Sequence, residues 1–103
     1  MALKFEWDSR KAESNARKHG VTFEEAGTSL SDILSITIRD PLHPGDEELW
    51  ATIGQFDRKR TVVVVHTERA GVIRLISARL ASAHERTRYE ESHGWPRRSR
   101  HAG

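Results

Sequence analysis

The run TVVVVHT, residues 61–67, is apolar at successive positions. Such a segment needs cover on both of its faces, so it belongs at the centre of a sheet. Its partner follows at once, because only ERAG separates it from the strand-like VIRLISA, 72–78. A type I turn with Gly71 in the left-handed position predicts a three-residue G1-bulge hairpin. A two-residue loop is disfavoured because Ala70 suits the positive φ of a type I′ turn poorly. In the bulged register His66 lies across from Arg74, on one face with Val62, Val64, Ile76 and Ala78. Arg79 then falls on the opposite face, near Thr61. A two-residue loop reverses these relations, since a slip of one residue changes faces.

The remaining pattern places other elements around this hairpin. LKFEW (3–7) alternates apolar and charged residues as a short strand does. Asp8 offers an N-cap to SRKAESNARKH, with Trp7 and Ala12 as a hydrophobic staple and Gly20 as the stop. Thr22 and Glu25 make a capping box for a second helix running to about Leu30. ILSITIRD (33–40) returns to period two, with Leu34, Ile36 and Ile38 on one face. PLHPGDE (41–47) reads as a loop, ELWATIGQF (48–56) as a strand and DRKR (57–60) as a charged turn. Ser82 and Glu85 make another capping box for a polar last helix over about 83–93, anchored by Ala83 and Tyr89. The expectation is one α+β domain over 1–93: a short strand, two helices, a four-stranded antiparallel meander and a C-terminal helix. GWPRRSRHAG (94–103) is a basic tail expected to be disordered.

With 103 residues the chain has room for one domain. It has no cysteine, which excludes disulfides and thiolate metal sites. MALKFEWDSRK carries no apolar signal core, so cytoplasmic residence is expected, and no apolar run is long enough to span a membrane. The net charge of +2 hides an asymmetry: residues 1–57 hold 6 basic and 11 acidic side chains, residues 58–103 hold 11 and 4. A basic C-terminal half suits a polyanion or an acidic partner.

Several chemistries can be set aside. The six histidines (19, 43, 66, 84, 93, 101) form no H-x-x-H or H-x₃-H pair, so no metal site is expected, and no cofactor either. No glycine-rich phosphate loop and no serine elbow occur. What remains is the group His66, Glu68, Arg69, Arg74, Arg79, Glu85 and Tyr89. Cleavage of RNA by its own 2′-hydroxyl needs a base, a cation over the phosphorus and an acid for the 5′ oxygen. These residue types can supply all three without a metal. Arg79 is the strongest candidate, leaving the sheet just before a capped helix whose N-terminus also attracts phosphate. An ion pair with Glu85 would explain it as well, and Tyr89 would serve equally as a packing anchor.

Taken together, FEWDSRKAESNARKHGVTFEEA (5–26), TIGQF (52–56), VVVVHTER (62–69) and IRLISARLASAHERTRYEE (73–91) resemble the BrnT family of toxins from type II toxin–antitoxin systems. The resemblance implies a RelE-like ribonuclease that arrests translation without a metal. It also implies a BrnA-type antitoxin partner, with operator DNA contacted only through that antitoxin. By motif match it points to Lys18 and His19, to His66, Glu68 and Arg69, and to Arg79, Glu85 and Tyr89. The expected roles are His66 or Glu68 as base, Arg79 and Arg74 as phosphate clamps and Tyr89 as acid, with Lys18, Arg69, Arg74 and Arg86 as the expected RNA contacts. GTSLSDIL (27–34) departs from the family's usual pattern at the end of the second helix.

Two functions follow from different classes. One is a metal-independent endoribonuclease toxin. The other is a non-catalytic module that binds the antitoxin and acts as co-repressor, with the charged hairpin as an interface. A bidentate phosphate clamp at Arg79 tolerates lysine badly, whereas an interface arginine tolerates it well.

Overall fold

The computed structural model describes residues 3–39, 48–57 and 60–92. Within them the order is β1 (Lys4–Glu6), α1 (Ser9–His19), α2 (Phe23–Ser29), β2 (Ile36–Arg39), β3 (Trp50–Gln55), β4 (Thr61–Arg69), β5 (Val72–Leu80) and α3 (Ala83–Ser92). The expected α+β class and antiparallel meander are present as β2 to β5. β1 adds a further strand, parallel to β5, giving the order β1-β5-β4-β3-β2. β4 is thus central, as its unbroken valine run requires.

Local signals set the helix ends. Asp8 Oδ1 accepts from the amides of Arg10 and Lys11, and Gly20, at φ 71°, donates its amide to the Ala16 carbonyl. Thr22 and Glu25 exchange both bonds of the capping box, at 3.0 and 2.9 Å. Ser82 and Glu85 do the same at the start of α3, at 3.2 and 2.8 Å.

The sheet has a core on each face. Val62, Val64, Leu75 and Ala78 pack against Val21, Phe23 and Ala26 beneath α1 and α2. Ile53 and Val63 pack against Ala81 and Tyr89 beneath α3. The approach of α2 is close: a Cβ on Gly54 would stand 2.6 Å from the Ser29 carbonyl oxygen. Beyond β1, the edge of β5 is finished by a side chain. Asn15 donates to the carbonyls of Ala78 (2.8 Å) and Val21 (3.0 Å), and its Oδ1 accepts the Ala78 amide at 3.0 Å. Its carboxamide therefore bonds both backbone groups of Ala78, as a peptide group of a neighbouring strand would.

Two expectations are corrected. The strand foreseen over 33–40 begins only at Ile36. Asp32 holds the preceding residues in a turn, because its carboxylate accepts the amides of Leu34 and Gln55 and its carbonyl that of Ser35. Leu34 is consequently exposed and Ile33 is 94 % exposed. The second correction concerns the hairpin. Arg69 pairs with Val72, so the loop is the two residues Ala70 and Gly71, both with positive φ (55° and 82°). Arg74 therefore lies opposite Thr67, and His66 opposite Leu75. One extra residue in β5, Ile76, then shifts the register so that Val65 pairs with Ser77 and Val63 with Arg79. The loop 41–47 and the tail 94–103 lie outside the described residues, as does part of the turn 57–60.

A left-handed conformation strains alanine by about 1 kcal/mol relative to glycine. Ala70→Gly should therefore raise the unfolding free energy by up to about 1 kcal/mol, read as a higher urea midpoint at unchanged slope. A lower midpoint would show that Ala70 is not strained.

Candidate functional site

The hairpin register decides which charged groups can meet. On β4, His66 and Glu68 point to the side of Val62 and Val64, the face covered by α1 and α2. On β5, Arg74, Ser77 and Arg79 lie across from Thr67, Val65 and Val63, hence on the α3 face. Arg69 shares that face by alternation. His66 and Glu68 therefore stand across the sheet from Arg74, Arg79 and Tyr89; Arg79 is on the face opposite His66, as expected, while the shorter loop moves Arg74 off the face of His66.

His66 is built into the sheet. Its Nε2 lies 2.7 Å from Thr52 Oγ1, which in turn lies 2.7 Å from Thr37 Oγ1, a polar ladder across three strands. Its Nδ1 is buried with no hydrogen-bond partner, and the residue is 8 % exposed. Burial lowers its pKa below the usual imidazole value, only partly opposed by Glu68. The folded state thus binds this proton less well than the unfolded chain does. Stability from His66 is present above the unfolded value of about 6.5 and falls as pH drops below it. Urea midpoints of wild type should decline more from pH 7.5 to pH 5.5 than those of His66→Gln, provided that variant folds. Equal declines would refute a buried neutral imidazole.

Tyr89 is also structural in its contacts. It is buried, and its hydroxyl donates to Asp32 Oδ2 at 2.5 Å. Burial, with that carboxylate, pushes the phenol well above its ordinary pKa, which makes it a poor proton donor to a leaving group. The anchor reading accounts for it.

The α3 face presents cations instead. Arg79 donates both Nη1 and Nη2 to the two oxygens of Glu85, each at 2.8 Å, with its outer side open to solvent. The hydrogen bond from Arg79, aided by Ser82, takes the Glu85 carboxyl down to about 2. Glu85 thus fixes the plane of the guanidinium and is itself a feeble base. Arg74 pairs with Glu6 at 3.1 Å, and Arg86 donates to the Ala81 carbonyl at the start of α3. Beside Ser77, α1 and β5 enclose an open groove of about 330 Å³, lined by Arg10, Lys11, Ser14, Asn15, Lys18, His19, Ile76 and Ser77. Lys18 is therefore next to the strand that carries Arg74 and Arg79.

Two groove residues, Arg10 and Lys11, were not among the expected contacts. The signal was present in the spacing, since Lys11, Ser14 and Lys18 fall at i, i+3 and i+7 on one helical stripe. Among the described residues no group of three histidines or carboxylates is placed to hold a metal ion.

The family described as ribonuclease toxin, BrnT, of type II toxin–antitoxin systems matches residues 7–85. This chain belongs to the BrnT family. The solved structures include the 1.1 Å crystal structure of the ribonuclease toxin BrnT of Brucella abortus, which is similar to it at 25% sequence identity and a TM-score of 0.60. The match covers 78% of this chain and 97% of the Brucella one. No curated protein sequence matches. Membership in BrnT implies RNA as substrate and an antitoxin as partner.

Proposed function

We propose that this BrnT chain is a RelE-like, metal-independent endoribonuclease toxin that arrests translation in the cytoplasm and is neutralised by a BrnA-like antitoxin. The observation that carries the reading is the register of β5. It sets Arg74, Ser77 and Arg79 on one face of β5, the strand whose Ile76 and Ser77 also line the α1 groove. In this reading Arg79, held flat by Glu85, clamps the phosphate in its extra-charged state. Arg74, Arg86 and Lys18 hold the flanking backbone. Operator DNA is contacted only through the antitoxin.

A second reading, a non-catalytic antitoxin partner and co-repressor, draws on the position of His66 and Glu68. Both lie across the sheet from the arginines, away from the face that carries Arg79, which supports a reading without a base at that phosphate.

The test uses the purified, antitoxin-free chain with a defined RNA in EDTA. Cleavage leaving 2′,3′-cyclic phosphate ends supports attack by the 2′-hydroxyl without a metal. Activity only on translating ribosomes keeps the toxin and makes it ribosome-dependent. No cleavage in either setting favours the binding module.

A further inference from the structure

The cations of this domain differ in how far they are neutralised. Arg17 pairs with Glu13, Arg39 with Glu48, Arg74 with Glu6 and Arg79 with Glu85. Arg10, Lys11 and Lys18 make no ion pair among the described residues, and all three line the α1–β5 groove. No carboxylate lines that groove. Its floor is the bulged part of β5, Ile76 and Ser77, lying between Arg74, where pairing with β1 ends, and Ala78, which Asn15 holds.

The groove's length speaks to its ligand. Lys11 and Lys18 stand about 10 Å apart along the helix axis, at 1.5 Å per residue. That is too far for one phosphate ion to bridge, yet it suits successive charges on a chain. Ser14, which lies between them on α1, and Ser77 also line the groove, and a serine hydroxyl can donate to a phosphate oxygen. Ser77, which lines the groove, lies on β5 between Arg74 and Arg79.

We infer that the α1–β5 groove is a sequence-independent track for the RNA backbone, in which Lys11 and Lys18 engage separate phosphates flanking the one held by Arg79. The inference rests on RNA being the substrate, as the proposed function has it, but it concerns binding and not cleavage. The track lengthens the RNA footprint beyond the sheet and makes affinity strongly dependent on salt.

The experiment measures fluorescence anisotropy of a labelled single-stranded RNA carrying 2′-O-methyl groups throughout, which the 2′-hydroxyl route cannot cut. Binding to the full chain is followed across a salt series for wild type, for Lys11→Gln/Lys18→Gln and for the control Arg17→Gln/Arg88→Gln. All four positions are exposed, so folding should persist and is checked by circular dichroism. The groove variant should lower the slope of log K against log salt by about 1.4, at about 0.7 per lost phosphate contact. Its affinity at low salt should fall at least about tenfold. The control should keep the wild-type slope. A wild-type slope in the groove variant, or an equal drop in the control, overturns the inference and leaves the groove to another ligand, such as an acidic protein segment. If unmodified RNA is cut neither free nor on translating ribosomes while the slope change holds, the nuclease reading fails and the track stands. If RNA is cut but the groove variant binds as wild type, the track fails and the nuclease stands.

Discussion

Replacing Arg79 by alanine should reduce RNA cleavage about 10²–10³-fold, and Arg79→Lys should restore little of it. The size follows from the loss of a preorganised donor at the place where charge develops, which is the usual scale for such groups. Lysine fails for a geometric reason. A guanidinium can hold the Glu85 fork on one edge and face phosphate with the remaining N–H groups, while an ammonium offers only a point charge. Glu85 should show the complement. Glu85→Gln keeps an acceptor for the Ser82 amide but loses the charged fork, so Arg79 remains present yet loosely aimed, and the rate should fall by less than with Arg79→Ala. Single-turnover rates at saturating RNA, beside melting curves for each variant, separate chemistry from folding. If Arg79→Ala keeps its rate within about threefold of wild type, Arg79 is a strut for α3 and the non-catalytic reading gains.

Asn15→Leu should destabilise the domain by about 3–5 kcal/mol, a large part of the 5–15 kcal/mol that holds a domain of this kind together. The side chains have similar volume, so the loss is polar rather than steric. Leucine leaves the amide and carbonyl of Ala78 and the carbonyl of Val21 without the partners they have now, at a 7 % exposed position. Each stranded group costs about 1–3 kcal/mol. Asn15→Asp should also be severe, because a carboxylate would keep the Ala78 amide but face two carbonyl oxygens. Urea unfolding at neutral pH gives the value. A loss below about 1 kcal/mol would mean that water reaches the β5 edge and replaces the amide. Since the same edge floors the α1 groove, that result would also make the groove looser than its described form.

The elements whose ends are written in adjacent residues are legible in the sequence. Asp8 with Gly20, Thr22 with Glu25 and Ser82 with Glu85 mark helix ends through bonds spanning a few residues, and all three helices lie where those signals put them. The valine run required a covered central strand and became β4. Candidate chemistry was legible only as residue types. Which arginines join which groups depends on a loop of two residues rather than three, and on one extra residue at Ile76. Both are choices that a chain makes only when its packed faces compete. Adding a residue to the loop would have spared Ala70 a positive φ. Instead the two-residue loop forms, and with the bulge Leu75 and Ala78 both face the core under α1 and α2. Strain of about 1 kcal/mol at one exposed residue is smaller than the cost of exposing Leu75, about 2 kcal/mol or more. The sequence by itself thus determined the elements, because their signals are local. The tertiary structure alone decided that Arg74 stands across the sheet from His66, because register is set by the sum of buried surface across the whole sheet.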